Sequence, residues 1–360
     1  GTFGCGSGGC GGEGGDRVVL EETPQGTVSY TYDAIGRRTG MAIIVGANLV
    51  FAQDYEYDAA SRPTAVKQGA QTVTMTYDAA SRRTQLALPN GVQTSYAYDP
   101  ASRVTQVLHQ KSGSALEDIR YQYDASGSRT RYQRTNPHPP LPDETGATFD
   151  AANEMRSLDG KSFQYDENGS LVTRTDSCGT TAYGWDGRNR LTGISGYKPD
   201  CAPLAASFKY DALGRRIEKT MSGQTTKYLY DGLDIAAEIQ GGSVSATYLR
   251  SMSIDEPFGR TKGSTTSYYL QDALGSVIGL ANATGQRATT YAYDAFGGTY
   301  QSGAASDQPF KYTGREDDGT GLYYYRARYY SPEMRRFISA DPIGLDGGGV
   351  NLCGCVKNNT

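Results

Sequence analysis

The sequence is poor in the residues on which most metal sites, nucleic-acid interfaces and membrane spans depend. It has two histidines, His109 and His138, and its six cysteines form no set of Cys-x-x-Cys or Cys/His pairs at zinc spacing, so we expect no metal and no cofactor. A net charge of −4 without a basic block argues against a nucleic-acid partner. No run approaches the ~18 to 20 apolar residues of a membrane-spanning helix. We therefore expect a soluble or secreted chain without a membrane span.

The hydrophobic content is also low, whereas tyrosine and glycine are abundant. Hydrophobic residues make up 37% of the 360 residues, and 28 tyrosines stand beside 9 phenylalanines, 1 tryptophan and 46 glycines. A core of such a chain has to be built largely from rings with polar tips. This composition disfavours a Leu- and Ala-rich helical protein.

An aromatic residue followed by Asp recurs along the chain at a nearly fixed spacing. Successive aspartates are 20 to 25 residues apart, except for gaps of 41 and 42 residues that fit two units each. The pairs are Tyr32-Asp33, Tyr57-Asp58, Tyr77-Asp78, Tyr98-Asp99, Tyr123-Asp124, Tyr165-Asp166, Trp185-Asp186, Tyr210-Asp211, Tyr230-Asp231 and Tyr293-Asp294, with degenerate copies at Phe149-Asp150 and Gln271-Asp272. Such a period indicates a repeat architecture.

Each unit carries the pattern of a β-hairpin. A second large side chain stands two positions before the aromatic residue in nearly every copy, a spacing that places both on one face of a strand. A turn former stands three positions after each Asp: Gly36, Ser61, Ser81, Ser102, Gly127, Gly169, Asn189, Gly214, Gly275 and Gly297. The Asp carboxylate can accept a backbone N–H two residues on, and the turn former supplies the unusual dihedral. Arg37, Arg82, Arg215 and Arg328 are interpreted as surface residues or partners of the turn aspartates.

Stacked hairpins predict an all-β fold in which the repeats form a long coiled sheet, a spiral or a shell. The shell would be incomplete if the sheet is too short to close on itself. We expect a Gly-rich disordered segment at 1–16 and a hairpin array at 17–259 with a Pro-rich rim loop at 136–145. The tyrosine rows are interpreted as cross-strand packing, with a sugar-stacking surface as the alternative.

With the repeats assigned, the sequence resembles the Rhs/YD-repeat family, and residues 260–360 resemble its repeat-associated core. The residues that carry this resemblance are Asp272-Ala273-Leu274-Gly275-Ser276, Tyr293-Asp294-Ala295-Phe296-Gly297, the run from Thr320 to Tyr330, Asp341-Pro342-Ile343-Gly344-Leu345 and Asn351-Leu352. Single Tyr-Asp pairs are unspecific, whereas the ordered tail from Gly321 to Leu345 is highly specific.

The resemblance implies a hollow β-shell that encloses a polymorphic C-terminal toxin, with a core segment that acts as an autoprotease. The implied partners are the toxin cargo, which we expect to be missing from this chain, and a secretion apparatus or toxin-complex subunit. The implied location is secreted or at the cell surface. The alternative function is a surface adhesion protein whose repeats bind glycans.

The residues that would carry self-cleavage are Asp318, Asp341 and Arg328. Asp318 and Asp341 are 23 residues apart, about one repeat, so equivalent positions on neighbouring hairpins could bring the carboxylates together. Two adjacent carboxylates that share a proton are an aspartic-protease arrangement. The family pattern matches the same two aspartates and gives Arg328 an orienting role. Asp317 competes with Asp318 for the inward position, and both sites also fit ordinary turns.

Cysteines 178 and 201 are likewise 23 residues apart. Neighbouring hairpins would let Cys178 and Cys201 form a disulfide in an exported protein, and two buried free thiols are the alternative.

Overall fold

Antiparallel β-strands form nearly all of the regular structure. The computed structural model describes residues 2–5, 17–136, 139, 146–344 and 353–354. This described part contains no α-helix, a single 3₁₀ turn at Tyr312–Gly314, and no helix long and apolar enough to cross a membrane. The predicted all-β class is therefore confirmed. The segment at 1–16 and the Pro-rich loop at 136–145 fall almost entirely outside the described residues.

The strands pair with their neighbours in chain order, as stacked hairpins require. The first sheet contains β1 (Thr2–Cys5), β2 (Val18–Thr23), β3 (Gly26–Tyr32), β4 (Arg38–Val45), β5 (Asn48–Tyr57), β6 (Pro63–Gln68), β7 (Gln71–Tyr77), β8 (Arg83–Ala87), β9 (Val92–Tyr98), β10 (Val104–Lys111), β11 (Ser114–Tyr123) and β12 (Arg129–Arg134). Hairpin pairing then resumes with β13 (Thr148–Phe149), β14 (Met155–Leu158), β15 (Lys161–Tyr165), β16 (Leu171–Asp176), β17 (Gly179–Trp185), β18 (Leu191–Tyr197), β19 (Pro203–Tyr210) and β20 (Arg216–Met221).

The later strands follow the same plan and end in a small sheet. They are β21 (Gln224–Asp231), β22 (Asp234–Gln240), β23 (Ser243–Arg250), β24 (Pro257–Lys262), β25 (Thr265–Gln271), β26 (Val277–Ala281), β27 (Arg287–Tyr293) and β28 (Thr299–Gly303). The small four-stranded sheet comprises β29 (Glu316–Asp317), β30 (Tyr323–Tyr324), β31 (Tyr329–Ser331) and β32 (Arg336–Phe337).

The chain forms two compact units. Unit 1 comprises Gly1–Pro137, Lys227–Thr290 and Ser302–Ser306, and unit 2 comprises His138–Thr226, Tyr291–Gln301 and Asp307–Thr360. The predicted domain boundary at residue 260 stays a prediction.

The Tyr-Asp turn has the geometry that its sequence predicts. In the first copy, Asp33 Oδ1 accepts the N–H groups of Ile35 and Arg37, at 3.1 and 2.8 Å. The N–H of Gly36 donates to the Asp33 carbonyl, and Gly36 has a φ of 87°. All ten predicted turn formers have positive φ values, from 55° to 88°. Because the sixth residue after Asp is an extra one in its strand, the register shifts at the Tyr of the hairpin, as at Glu56/Tyr57, where Thr64 is skipped.

Unit 2 buries a core to which both the hairpins and the small sheet contribute. Leu171, Leu191 and Phe208 come from the hairpins. Tyr324, Tyr329 and Ile338 come from the C-terminal segment and pack into the same cluster. The N–H of Leu171 also donates to the Ile338 carbonyl at 2.8 Å. The C-terminal segment therefore forms part of the hydrophobic core of unit 2.

Candidate functional site

The exposed turns are fastened by a repeated set of Asp, Arg and Tyr contacts. In six repeats an Arg four residues after the Asp donates from Nε to Oδ2 at 2.6–2.8 Å, and these residues are Arg37, Arg62, Arg82, Arg103, Arg190 and Arg215. Five of these guanidinium groups, those of Arg37, Arg62, Arg82, Arg103 and Arg190, lie over the Tyr of the next repeat, 4.7–5.0 Å from the ring centroid. The predicted role of Arg37, Arg82 and Arg215 as partners of the turn aspartates is confirmed.

The tyrosine rings are used for packing within the sheet. The hydroxyls of Tyr77, Tyr98 and Tyr123 donate to backbone carbonyls of the preceding hairpin, each at 2.8 Å. Trp185 donates from Nε1 in the same way, to the Leu171 carbonyl. These bonds and the arginine stacking support the packing interpretation of the rows.

Three repeats carry two consecutive arginines, and the second one turns inward. Arg38 binds Asp231 at 2.6 Å, Arg83 binds Glu256 at 2.5 Å, and Arg216 binds Glu316 at 2.6 Å. Each of these second arginines also lies over an aromatic ring, at 4.6 Å for Tyr30, 5.0 Å for Tyr96 and 4.1 Å for Tyr324. The doublet therefore combines one turn arginine with one arginine that reaches a distant carboxylate of the same unit.

The Arg216 cluster is the most buried of the three. The side chains of Arg216 and Asp318 are both 0% exposed. Arg216 binds Asp318 through both terminal nitrogens, and Lys219 Nζ lies 3.0 Å from Asp318 Oδ1. The same guanidinium donates to the Tyr329 hydroxyl at 3.2 Å. Two cations and two carboxylates, Glu316 being the second, thus join strand β20 to the C-terminal segment.

The two carboxylates of this cluster have pKa values shifted in opposite directions. Burial opposes the ionisation of Asp318, but the charges of Arg216 and Lys219 outweigh it and hold the pKa of Asp318 below its usual value. Burial raises the pKa of Glu316, and the charge of Asp318 adds to this while Arg216 opposes it. Asp318 is therefore the member of the pair in which the surroundings favour the ionised form.

Arg328 and Asp341 form a separate and more accessible pair. Arg328 binds Asp341 Oδ2 at 2.9 Å, and their side chains are 16% and 21% exposed. The Arg328 guanidinium lies 3.8 Å from the centroid of the Phe337 ring. Asp341 also forms a turn, because its Oδ1 accepts the N–H of Ile343 at 3.1 Å and its carbonyl accepts that of Gly344.

Of the three predicted catalytic residues, the structure joins Arg328 to Asp341. Asp318 binds Arg216 and Lys219 instead, and within the described residues no hydrogen bond joins the carboxylates of Asp318 and Asp341. The sequence left open whether Asp317 or Asp318 points inward. In the structure Asp318 points inward to Arg216, whereas Asp317 binds Lys311 at 2.6 Å. The catalytic role of the three residues stays a prediction.

The predicted disulfide is present. Cys178 and Cys201 are bonded, with Cα atoms 5.2 Å apart. Cys178 lies in the turn between β16 and β17, and Cys201 in the turn between β18 and β19. The bond links the ends of two neighbouring hairpins, as the spacing predicts. Among the described residues, no group of three Asp, Glu, His or Cys side chains is placed to hold a metal ion.

Comparison with known proteins places this arrangement in a family. The family model described as Teneurin YD-shell matches residues 89–346. The chain belongs to the YD-shell family. The expected kinship with Rhs/YD-repeat proteins is thereby confirmed.

Curated relatives of this YD-shell chain include named toxins. The tRNA3(Ser)-specific nuclease WapA of Bacillus spizizenii is 29% identical over 268 residues, which are 73% of this chain and 11% of the nuclease. Toxin subunit YenC1 of Yersinia entomophaga is 40% identical over 97 residues, which are 26% of this chain and 10% of the subunit. The chain thus spans about a tenth of the length of these relatives.

Solved structures agree on the fold. A Photorhabdus luminescens Tc holotoxin pore containing TccC3 matches with a TM-score of 0.69 at 19% identity, over 93% of this YD-shell chain and 21% of that chain. The crystal structure of TcdB2-TccC3 without its hypervariable C-terminal region gives a TM-score of 0.68 at 20% identity, with the same coverage of both chains. At this identity the likeness shows a shared YD-shell fold.

The inward arginines and Glu316 are the site residues that the sequence analysis missed. The signal was present as the doublets Arg37-Arg38, Arg82-Arg83 and Arg215-Arg216. Period-two alternation puts the second arginine on the face opposite to the first. A charged residue predicted on an apolar face requires a buried partner, but the sequence does not say which distant carboxylate meets it.

Proposed function

We propose that this chain supplies part of a YD-repeat β-shell that encloses a C-terminal toxin and is delivered outside the producing cell. The observation that carries the proposal is the YD-shell match over residues 89–346. The names of the relatives, a tRNA nuclease and a toxin subunit, support a toxin as the cargo. A secretion apparatus or another toxin-complex subunit is the proposed partner for delivery.

The test of enclosure uses the reading frame that contains this chain, with a protease-sensitive reporter domain fused at its C-terminus. An enclosed reporter resists protease at concentrations that degrade the free domain. The same reporter fused at the N-terminus is the matched control and is digested. Equal digestion of both fusions contradicts enclosure, and selective binding on a glycan array favours the adhesion alternative.

We further propose self-cleavage that uses Asp341, Arg328 and Asp318, with different tasks for the two aspartates. Arg328 contacts Asp341, and both are partly exposed, which a reacting group needs. Asp318 is held ionised by Arg216 and Lys219, which opposes the proton sharing of an aspartic dyad. Asp341 is therefore the proposed reacting carboxylate, and Asp318 positions the segment through Arg216.

Mass spectrometry of the same full reading frame tests this division. Asp341→Asn is expected to abolish processing while the protein stays folded by circular dichroism. Asp318→Asn is expected to reduce processing only together with a loss of thermal stability. Normal processing of Asp341→Asn contradicts a catalytic role for Asp341. Loss of processing in Asp318→Asn at unchanged stability would instead support a catalytic dyad of Asp318 and Asp341.

A further inference from the structure

Unit 2 contains a cleft of about 510 Å³ beside the turn of the last Tyr-Asp repeat. Its lining includes Asp294 and Gly298 from that turn, and Tyr323, Asp317 and Arg335 from the C-terminal segment. Lys198 lines the cleft as well. The cleft is distinct from the Arg216 cluster and from the Arg328–Asp341 pair, because none of these residues lines it.

Asp294 is a buried turn aspartate that lacks the arginine of its repeat. Position four after the Asp is Gly298 here, where six other repeats have Arg. Asp294 is 8% exposed, and its Oδ1 accepts the N–H groups of Phe296 and Gly298 at 2.8 and 2.9 Å. Its Oδ2, the atom that binds arginine elsewhere, has no hydrogen-bond or ion-pair partner within the described part of the chain. Asp294 lines the cleft, so this oxygen can accept hydrogen bonds from a cation that enters it.

We propose that this cleft binds an arginine side chain of a partner polypeptide, whose guanidinium takes the place of the missing repeat arginine on Asp294. The six intact repeats define the chemistry, because there the guanidinium donates to Oδ2 and, in five of them, also to the next repeat's Asp carbonyl at 2.9–3.4 Å. A planar fork with several donors suits these acceptors better than an ammonium group does. Tyr323 supplies an aromatic ring in the cleft wall.

The cleft has four carboxylates, and Asp294 differs from the other three. Asp200 is exposed, and its Oδ1 accepts the N–H of Ala202 at 3.1 Å. Asp317 is bound to Lys311 at 2.6 Å, and Glu333 is bound to Lys161 at 3.2 Å. The Arg335 guanidinium lies over the Phe296 ring, 4.3 Å from its centroid. An incoming arginine therefore meets Asp294 as the one largely buried carboxylate of the cleft that has no ion pair within the described residues. This inference does not depend on whether the chain encloses a cargo.

The test measures binding of acetyl-Gly-Arg-Gly-amide to the whole chain by saturation-transfer NMR. Two control peptides replace the arginine. Citrulline has nearly the same shape but no charge, and lysine has the charge but not the planar guanidinium group. We expect the arginine peptide to bind about tenfold or more tightly than the citrulline peptide, as the loss of a charged hydrogen bond requires. Equal binding of the arginine and citrulline peptides overturns the proposal, and equal binding of the lysine peptide overturns its guanidinium specificity.

Two variants locate the site. Asp294→Asn is expected to reduce the arginine peptide's affinity about tenfold. The turn should survive this change, since Asn282 Oδ1 accepts the equivalent N–H groups of Thr284 and Gln286, both at 3.0 Å. Asp211→Asn is the matched control, because Asp211 already binds its own Arg215 and should leave peptide affinity unchanged. An equal loss in both variants overturns the assignment to Asp294.

Gly298→Arg supplies the missing arginine from within the chain. A Cβ at Gly298 would overlap Asp294 Oδ2, so the carboxylate has to rotate to accept the new side chain. We expect this variant to lose peptide binding while it remains folded by circular dichroism. Unchanged peptide affinity in folded Gly298→Arg would show that the peptide binds elsewhere.

Discussion

The turns of the hairpins and the Arg216 cluster use the same two chemical groups under different conditions. Asp186 and Arg190 are each 24% exposed, whereas Asp318 and Arg216 are 0% exposed. Water and salt screen the turn pair, so each such pair contributes little to stability. In the buried cluster neither charge can be solvated if its partner is removed. Many weak Asp–Arg ion pairs therefore stabilise the turns, and one buried cluster with a strong interaction stabilises the C-terminal segment.

The largest expected effect is that of removing the charge of Asp318. Asp318→Asn leaves Arg216 and Lys219 short of a buried carboxylate, which should lower the free energy of unfolding by roughly 3 to 5 kcal/mol. Urea denaturation followed by circular dichroism measures this loss. Asp317→Asn is the neighbouring control, because Asp317 lies nearer the surface and binds Lys311. A loss no greater than that of Asp317→Asn would break the contrast between buried and exposed pairs.

The disulfide should rank next. Cys178→Ser combined with Cys201→Ser removes a cross-link between residues 23 apart, for which a loss of about 3 kcal/mol is expected. Denaturation of the double variant and of the reduced wild-type chain should give the same midpoint. If both midpoints equal that of the oxidised protein, the disulfide adds no stability beyond that of the hydrogen bonds of these hairpins.

The buried, neutral His109 should make the stability of the chain depend on pH. Its Nε2 donates to the Gln271 carbonyl at 2.9 Å, and its Nδ1 accepts from Thr94 at 2.8 Å. Burial lowers the pKa of His109 to about 4. Because the unfolded chain takes up this proton near pH 6.5, stability should fall as the pH drops from about 6.5 to 4, by up to about 3 kcal/mol.

The measurement for His109 is the difference in unfolding free energy between pH 7 and pH 4.5. His109→Asn is expected to lower stability at pH 7 and to flatten the dependence on pH. A variant with the full wild-type slope would assign that slope to carboxylates instead.

The sequence predicts the turns because their causes are local. Asp33, Gly36 and Arg37 lie within five residues, so backbone dihedrals and one carboxylate determine the hairpin. The disulfide was predictable because hairpin stacking converts a separation of one repeat into adjacency. The Arg216–Asp318 contact joins positions 102 residues apart, and no local rule selects that partner. Spacing alone suggested Asp318 with Asp341, whereas the buried charges pair Asp318 with Arg216.

The smallest expected effect is that of a single turn pair. Burial opposes the ionisation of Asp186, but the hydrogen bonds from the side chain and N–H of Arg190 and from the Arg188 N–H together outweigh it and hold the pKa of Asp186 below its usual value. Asp186→Asn keeps an oxygen that accepts the backbone N–H groups and removes only the charge. It should lower the free energy of unfolding by less than about 1 kcal/mol at low salt, and by less at high salt because salt screens the ion pair. Urea denaturation at low and high salt checks this. A loss as large as that of Asp318→Asn would mean that the repeated turns, rather than the buried cluster, dominate the stability of unit 2.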